Sequence, residues 1–223
     1  MVVFVMPIYN EQEMIPHLRQ ELEKFSSRQP FQTRYVLVND GSTDSSGKML
    51  DEWKKQSKNL EVCHLAKNMG HQQALLKGLS KASGDFIITM DADLQDPLDA
   101  VPVMVQKAME GFDVVHARRT KRLGESTFRK CAAWAYYRVA KIFIHSSILE
   151  DVGDFRLMTS RAMDVYMSRK NKNQFLRAEI VDLPLPQTVI PYIRDKRAKG
   201  KSKFTMTKLI QLSISGFFRS RSD

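Results

Sequence analysis

The sequence predicts an α/β fold in which helices flank a doubly wound, mainly parallel sheet. Three observations lead to this prediction: short apolar runs alternate with helical patterns, the runs end in polar turn residues, and 43% of the 223 residues are hydrophobic. Continuous apolar runs are typical of parallel strands that are buried on both faces. A chain of this length is expected to form one large domain or two small ones.

The first half of the chain predicts four strands and four helices in alternation. Residues 2–6 form an apolar run that stops at Pro7, and apolar residues then repeat at helical spacing over 11–26. The same alternation of strand and helix continues over 35–38, 45–56, 60–65, 72–83, 86–90 and 97–110. Ligands bind outside the carboxyl ends of the strands in such sheets. Functional residues are therefore expected directly after the strands.

The second half of the chain has a less regular pattern. Residues 114–115 predict a further strand, and the aromatic and basic stretch 118–144 predicts a helix. Prolines that mark loops and short edge strands follow at Pro184, Pro186 and Pro191. Residues 205–218 place apolar side chains at roughly helical spacing between basic residues, which predicts an amphipathic C-terminal segment.

Most of the net positive charge lies near the end of the sequence. The chain has 35 Lys and Arg against 25 Asp and Glu, a net charge of +10. Residues 194–223 hold nine basic and two acidic residues, which is +7 of that total. We therefore predict a catalytic domain over 1–193 and a basic segment over 194–223 that binds an anionic membrane surface. The alternatives are a solvated chain end or the remainder of a deleted membrane anchor.

Several classes of protein are not expected from this composition. A nucleic-acid binder usually spreads its positive charge over a recognition surface, and the first 193 residues are close to neutral. Cys63 and Cys131 stand in no C-x-x-C or Cys/His cluster, so a zinc site or disulfide framework is unsupported. No run reaches the roughly 18 apolar residues of a membrane-spanning helix, and no basic region precedes the first apolar run. We expect the protein to lie at the cytoplasmic face of a membrane, bound peripherally or through helices absent from this chain.

The strongest local signal follows the apolar run at 86–90. Asp91 and Asp93 are separated by one residue, and Gln95 offers a third oxygen. Carboxylate and amide oxygens are ligands of hard cations, so Mg²⁺ or Mn²⁺ is the expected occupant. The alternative is that these acids form a turn and cap the next helix. Three acids within six residues beside a buried strand favour a site that holds positive charge.

A second acidic turn follows the run at 35–38. Asp40 stands beside Gly41, and a carboxylate beside a tight turn can accept a hydrogen bond from a nucleobase. Pro7, Tyr9 and Glu11 end the neighbouring strand. The alternative is an ordinary turn that caps a helix. No G-x-G-x-x-G and no G-x-x-x-x-G-K-[ST] motif occurs, which disfavours dinucleotide and P-loop chemistry.

These motifs resemble the catalytic domain of glycosyltransferase family 2, which has the GT-A fold. Four motifs occur in the family's order: PIYNE at 7–11, VNDGSTD at 38–44, NMGHQQALLKG at 68–78 and GDFIITMDADLQDP at 84–97. Four further stretches are similar to the polyprenyl-phosphate glycosyltransferases, which include dolichyl-phosphate mannose synthases and bactoprenol glucosyltransferases: ARRTKRLGES at 117–126, YYR at 136–138, DVGDFRLM at 151–158 and RAKGKSKF at 197–204. The resemblance covers essentially the whole chain.

The resemblance implies a role for each candidate residue. The nucleotide would be bound by Pro7, Tyr9, Glu11, Asp40, Asn68 and Asp91. The metal on the donor diphosphate would be held by Asp91, Asp93 and Gln95. The catalytic residues would be Asp93, Asp154 and Arg119, with Asp154 as either a base or an orienting residue. The acceptor phosphate would be bound by Arg122, Arg129, Arg197, Ser202 and Lys203. His71 and His116 could contact the donor, but a structural role is favoured for each.

The implied activity is metal-dependent, inverting transfer of a hexose from a nucleotide sugar to a polyprenyl phosphate. Glucose from UDP-glucose is favoured over a GDP-sugar, because 117–126 and 197–204 look more like the bactoprenol branch. One alternative is a family 2 enzyme that glycosylates a saccharide in cell-surface polysaccharide synthesis. A nucleotidyltransferase would need a Gly-rich N-terminal loop, and a lipid-binding module would leave the acidic strand ends unexplained. The sequence indicates no oligomeric state.

Three residues depart from the family pattern. Asn39 stands where many members have an Asp, Ala117 replaces a usual Gly, and Lys201 stands where an acid is common. Many relatives also continue into transmembrane helices beyond the region that this chain covers.

Overall fold

A computed structural model of the protein describes residues 1–122, 152–169 and 176–195. Its strands are β1 (Val2–Ile8), β2 (Thr33–Asn39), β3 (Leu60–His64), β4 (Phe86–Thr89), β5 (Val114–Arg122), β6 (Val152–Thr159) and β7 (Gln187–Arg194). Its helices are α1 (Ile15–Ser26), α2 (Ser46–Gln56), α3 (His71–Leu79), α4 (Ala100–Met109), α5 (Ser160–Ser168) and α6 (Leu176–Val181).

The seven strands form one sheet in the order β3-β2-β1-β4-β6-β5-β7. The pairs of β1 with β2, β1 with β4, β2 with β3 and β5 with β7 are parallel. Strand β6 is antiparallel to both of its neighbours, β4 and β5. The predicted mainly parallel α/β sheet is therefore confirmed. The carboxyl ends of β1, β2 and β4 meet at the edge where the sequence places its acidic motifs.

Hydrophobic side chains cover both faces of the sheet. Along β1, Phe4 and Met6 belong to the core that includes residues of α1, α2 and α4, whereas Val3 and Val5 belong to the core with residues of α3, α5 and α6. Every residue of β1 except Pro7 is buried. This two-sided burial explains why the sequence of β1 is a continuous apolar run and not an alternation of apolar and polar residues.

The first four strands and helices agree with the sequence prediction, and their ends differ from it by at most four residues. The predicted helix over 118–144 is wrong in its first residues, because β5 continues to Arg122. Parallel pairing with β7 over Val114–Arg122 supplies hydrogen bonds that no local pattern reveals. The remainder of that stretch, from 123, and the predicted helix at 205–218 lie outside the described residues.

Two turns at the functional edge have unusual backbone geometry. Asn10, after β1, and Leu94, after β4, have positive φ angles of 51° and 54°. Residues other than glycine adopt this region rarely, and such positions concentrate at functional sites. Gly41 has φ of +63°, and a Cβ there would lie 2.3 Å from the carbonyl carbon of Lys67. Only glycine lets these two loops approach so closely.

Within the described ranges, no helix is long and apolar enough to span a membrane.

Candidate active site

Three carboxylates gather where β4 leaves the sheet. Asp91, Asp93 and Asp96 all face Arg194, the last residue of β7. The guanidinium nitrogens of Arg194 lie 3.4 Å from Asp91 Oδ2, 4.0 Å from Asp93 Oδ2 and 3.8 Å from Asp96 Oδ1. Asp93 Oδ1 also accepts a hydrogen bond from the backbone N–H of Gln95 at 3.1 Å. The two acids of the D-x-D motif thus share one cationic partner.

Asp154, on β6, lies beside this cluster with only 4% of its side chain exposed. Arg177 of α6 binds its carboxylate in a bidentate manner, with Nε 2.8 Å from Oδ1 and Nη2 2.6 Å from Oδ2. His71 Nε2 lies 3.0 Å from Oδ2, and the Gln72 amide donates to Oδ1 at 3.4 Å. Burial raises the pKa of Asp154, but the hydrogen bonds from Arg177 and His71 outweigh burial and hold the pKa well below its usual range. Asp154 is therefore ionised and weakly basic.

His71, the first residue of α3, connects the two acidic groups. Its Nε2 lies 3.0 Å from Asp154 and 3.6 Å from Asp91 Oδ1. Burial lowers the pKa of His71, but the hydrogen bond to Asp154 and the charge of Asp91 raise it by more. A histidine favoured by sequence reasoning as structural thus lies between two candidate site residues.

Arg119, Tyr192 and Asp96 form a hydrogen-bonded chain across the β5 and β7 end of the site. Arg119 Nε donates to the Tyr192 hydroxyl at 2.8 Å, and that hydroxyl donates to Asp96 Oδ1 at 2.6 Å. Asp96 is 1% exposed. Burial raises the pKa of Tyr192, and the adjacent Asp96 carboxylate raises it further. This series of hydrogen bonds fixes the position of the strand end that carries Arg194.

The loops after β1 and β2 are tied to each other and to the loop before α3. Asp40 is 3% exposed, and its carboxylate accepts hydrogen bonds from the backbone N–H groups of Met69 at 2.7 Å and Gly70 at 3.0 Å. The Asn10 amide oxygen accepts from the N–H of Thr43 at 2.7 Å. The backbone N–H of Glu11 donates to Ser46 Oγ at 2.8 Å. These bonds order the edge where the sequence predicts the nucleotide.

The remaining predicted nucleotide residues lie along the same edge. Pro7 and Tyr9 are half-buried at the end of β1, and Asn68 is exposed just before α3. The structure thus brings the β1, β2 and α3 motifs together, and the role of each residue in binding stays a prediction.

A family model described as Glycosyl transferase family 2 matches residues 3–166. The chain belongs to glycosyl transferase family 2. It is 36% identical to the uncharacterized glycosyltransferase YkcC of Bacillus subtilis over 95% of this chain and 66% of that protein. It is 32% identical to the bactoprenol glucosyl transferase of Shigella phage SfV over 96% of this chain and 70% of that protein. The chain therefore spans about two thirds of the length of these relatives.

The fold is also that of solved glycosyltransferases. The Pyrobaculum calidifontis mannosyltransferase PcManGT, in complex with GDP-Man and Mn²⁺, superimposes with a TM-score of 0.64 at 15% identity, over 98% of this chain and 64% of that one. The predicted family and the predicted GT-A fold are confirmed.

A metal ion bound between Asp91 and Asp93 would need further ligands from a substrate or from water. Throughout 1–122, 152–169 and 176–195, no three His, Cys, Asp or Glu side chains are arranged to hold an ion. Asp91 and Asp93 nevertheless converge on a single positive group, Arg194. Mg²⁺ commonly binds one or two carboxylates, substrate phosphates and water, so this pair fits such a site. The amide nitrogen of Gln95 donates to the Asp195 carbonyl at 3.0 Å, which leaves its Oε1 as the candidate ligand oxygen.

Sequence reasoning missed two arginines of this family 2 site. Arg177 was not singled out at all, and Arg194 was noted only as the start of a basic segment. Arg156, two residues after Asp154 on β6, donates from Nη2 to the carbonyl of Gly153 at 2.8 Å. His116 is fully buried and lies 2.8 Å from the side chain of Gln187, as a structural histidine would.

The acceptor residues predicted for the family lie mostly beyond the described part of the chain. Arg119, which was predicted as a catalytic residue, is described and donates to the Tyr192 hydroxyl. The side chain of Arg122 and all of Arg129, Arg197, Ser202 and Lys203 lie outside the described residues. Their assignment to the acceptor phosphate stays a prediction.

The family's Asp position at the end of β2 is occupied by Asn39. Its amide nitrogen lies 3.0 Å from His64 Nδ1, and its oxygen accepts from the N–H of Ser42 at 3.1 Å. Asn39 therefore supports the turn that begins at Asp40. An Asp here would keep the bond from Ser42 and lose the donor that faces His64.

The acidic cluster is expected to lower stability at neutral pH in the metal-free enzyme. Burial raises the pKa of Asp91 to about 6, and the charges of Asp96 and Asp93 add to this against the opposing effect of His71. Because the pKa is higher in the folded state than the ordinary 3.8, stability falls as the pH rises from about 4 through 6. Asp91→Asn should therefore raise the free energy of unfolding by about 1–3 kcal/mol at pH 8 and have little effect at pH 4.

Thermal unfolding in EDTA across this pH range measures the effect. The exposed Asp99→Asn serves as the control, because Asp99 caps α4 without a side-chain hydrogen bond. A lower melting temperature for Asp91→Asn at pH 8 would show that the carboxylate stabilises the fold instead.

Proposed function

We propose that the protein transfers a hexose from a nucleotide sugar to a polyprenyl phosphate, with inversion at the anomeric carbon and with a divalent metal ion. The observation that carries this proposal is the pairing of Asp91 and Asp93 on one cation beside the ionised Asp154. It supports the proposal because negative groups suited to a metal and positive groups suited to phosphates lie at the same sheet edge.

On the donor side, Asp91, Asp93 and Gln95 would hold Mg²⁺ or Mn²⁺ against the diphosphate. A bound metal ion neutralises the charge that develops on a departing nucleoside diphosphate. The loops fixed by Asp40 and Asn10 would present the nucleotide pocket formed by Pro7, Tyr9, Glu11 and Asn68. Their interlocking hydrogen bonds order this pocket before the donor arrives, which lowers the entropic cost of binding.

On the acceptor side, an oxygen of the lipid phosphate would attack C1 of the sugar while the bond from C1 to the diphosphate oxygen breaks. The bonding electrons leave with the nucleoside diphosphate, and one displacement inverts the anomeric centre. A lipid phosphate is already anionic near pH 7, so no proton has to be removed. The lowered pKa of Asp154 agrees with a positioning role, in which it orients His71 and Arg177, better than with a general base.

The bactoprenol glucosyl transferase relative supports a polyprenyl phosphate acceptor and favours glucose as the sugar. We assign the acceptor phosphate to Arg122, Arg129, Arg197, Ser202 and Lys203, since guanidinium groups bind phosphate through two parallel hydrogen bonds. Apart from Arg194, which ends β7 at the site, the basic segment 194–223 would bring the enzyme to an anionic membrane surface on the cytoplasmic side, where such lipids and nucleotide sugars meet.

A panel of UDP- and GDP-linked sugars with undecaprenyl phosphate, with and without Mn²⁺, tests the proposal. We expect metal-dependent transfer from UDP-glucose that exceeds transfer from any GDP-sugar. Arg129→Ala and Arg197→Ala should weaken use of the lipid while UDP affinity, measured by calorimetry, stays within about twofold. Loss of UDP affinity in both variants would move these arginines to the donor side.

A further inference from the structure

Arg194 and Arg177 both face site carboxylates, but their contacts differ in kind. Arg177 lies 2.6 and 2.8 Å from the two oxygens of Asp154, the spacing of strong charge-assisted hydrogen bonds. Arg194 lies between 3.4 and 4.0 Å from Asp91, Asp93 and Asp96. Arg177 is thus a closely bonded partner of one acid, whereas Arg194 is a loosely held counter-charge shared by three.

The Arg194 guanidinium is also incompletely satisfied. Its side chain is 21% exposed. Within the described part of the chain, its Nε is buried and makes no hydrogen bond. A buried guanidinium N–H without an acceptor is unfavourable, so the side chain gains if an oxygen-rich group arrives beside it.

The backbone on both sides of Arg194 is held against the loop after β4. Two residues before it, the Tyr192 hydroxyl donates to Asp96 at 2.6 Å. One residue after it, the N–H of Asp195 donates to the carbonyl of Gln95 at 2.9 Å, and the Gln95 amide returns a bond to the Asp195 carbonyl at 3.0 Å. These bonds fix the Cα position, so only the side chain is free to change partners.

We infer that Arg194 is a positioning residue that occupies the cation position between Asp91 and Asp93 in the metal-free enzyme and transfers to the donor diphosphate when a divalent ion binds. This inference rests on the proposed function, since it assumes that Asp91 and Asp93 receive the metal. A guanidinium and a divalent cation between the same two carboxylates would repel each other, so one must leave. The arriving diphosphate offers the displaced guanidinium oxygens that can approach more closely than its present partners, which lie 3.4 to 4.0 Å away.

The inference requires effects of opposite sign on two binding equilibria. Without nucleotide, Arg194→Gln removes a competing cation, so Mn²⁺ should bind at least ~3-fold more tightly than to wild type. With UDP present, the same variant loses a phosphate ligand, so the Mn²⁺·UDP complex should bind at least ~5-fold more weakly. Arg194→Lys keeps the charge and should leave the binding of Mn²⁺ alone close to that of wild type.

Electron paramagnetic resonance of free Mn²⁺ measures the first equilibrium at pH 7.5, and calorimetry with UDP measures the second. Arg161→Gln is the matched control, because Arg161 also lies 3.4 Å from a carboxylate, that of Asp113, away from the site. Circular dichroism and melting temperature confirm that each variant is folded.

The outcomes separate the inference from the proposed function. Suppose that wild type binds Mn²⁺·UDP but that Arg194→Gln binds Mn²⁺ alone no more tightly than wild type does. The inference is then overturned, and the proposed metal site is retained. Weaker binding of Mn²⁺ alone by Arg194→Gln also overturns it, because Arg194 would then stabilise the site for the metal. If wild type binds no Mn²⁺ even with UDP, both the inference and the metal-dependent proposal fail.

Discussion

Replacing Asp93 with alanine is expected to lower turnover at least ~100-fold while the fold persists. Asp93 lies after β4, outside the buried strand, and 16% of its side chain is exposed. Its loss should leave the core intact and the donor diphosphate poorly neutralised. Interactions that stabilise a leaving group's developing charge are among the largest contributions to catalysis. The measurement is steady-state turnover at saturating Mn²⁺, with the melting temperature as a check on folding.

The control for this variant is Asp99→Ala, which removes an exposed carboxylate from the same connection between β4 and α4. We expect the control to retain at least half of wild-type turnover. Near-normal activity in folded Asp93→Ala would contradict the assignment of Asp93 to the metal.

The pair of Asp154 and Arg177 is expected to act as one unit in both stability and catalysis. Arg177→Ala leaves a carboxylate that is 4% exposed without its bidentate partner, which should lower the free energy of unfolding by about 1–3 kcal/mol. Asp154→Asn should lower it by a similar amount. The double variant should be less destabilised than the sum, with a coupling free energy of about 1–2 kcal/mol from denaturant titrations.

Turnover distinguishes a positioning pair from a merely structural one. At temperatures below its melting transition, each single variant should show a kcat at least ~30-fold lower than that of wild type. The double variant should lose little more, as expected for residues that act together. The matched control is Arg34→Ala, which breaks the ion pair between Arg34 on β2 and Glu61 on β3 at 2.7 Å. Turnover should not change in this control. Additive losses in the Asp154 and Arg177 series would show that the two residues act independently.

Strands β1, β2 and β4 were predictable because their buried residues form continuous apolar runs, whereas the edge strand β3 alternates buried and partly exposed residues. β1 and β2 are central strands covered on both faces, so their residues need no alternation. The acidic motifs after β2 and β4 could be placed as well, since parallel strands deliver their carboxyl ends to one edge. The predicted location of Asp91, Asp93 and Asp40 at this edge of the sheet therefore agrees with the structure.

β6 was not predicted because it contains two charged residues in a buried strand. Asp154 is 4% and Arg156 is 1% exposed, so the segment lacks the apolar pattern by which a strand is recognised. The partners that make this burial possible, Arg177 and the Gly153 carbonyl, are supplied by a short helix and by the strand's own backbone. The compensation of Asp154 by Arg177 is tertiary and leaves no local signal in the sequence.

Arg194 was missed as an individual residue for a related reason. Its carboxylate partner Asp91 is 103 residues away in the chain, and the pairing of β7 with β5 brings the two together. In the sequence Arg194 stands among many basic residues. Their charge density indicated a basic segment and gave no sign that Arg194 individually contacts Asp91. Its position became visible only with the register of β7.

The central claim is direct transfer of a hexose to a polyprenyl phosphate, and the structure of the reaction product tests it most directly. The enzyme is incubated with UDP-glucose labelled with carbon-13 at C1, undecaprenyl phosphate and Mn²⁺, and the lipid fraction is analysed by mass spectrometry and by the C1 coupling constants in nuclear magnetic resonance. We expect a lipid that carries one hexose in the β configuration, formed by wild type and lost in Asp93→Ala. Label that appears only in water-soluble saccharide, or a lipid-linked sugar that keeps the α configuration, would contradict the account.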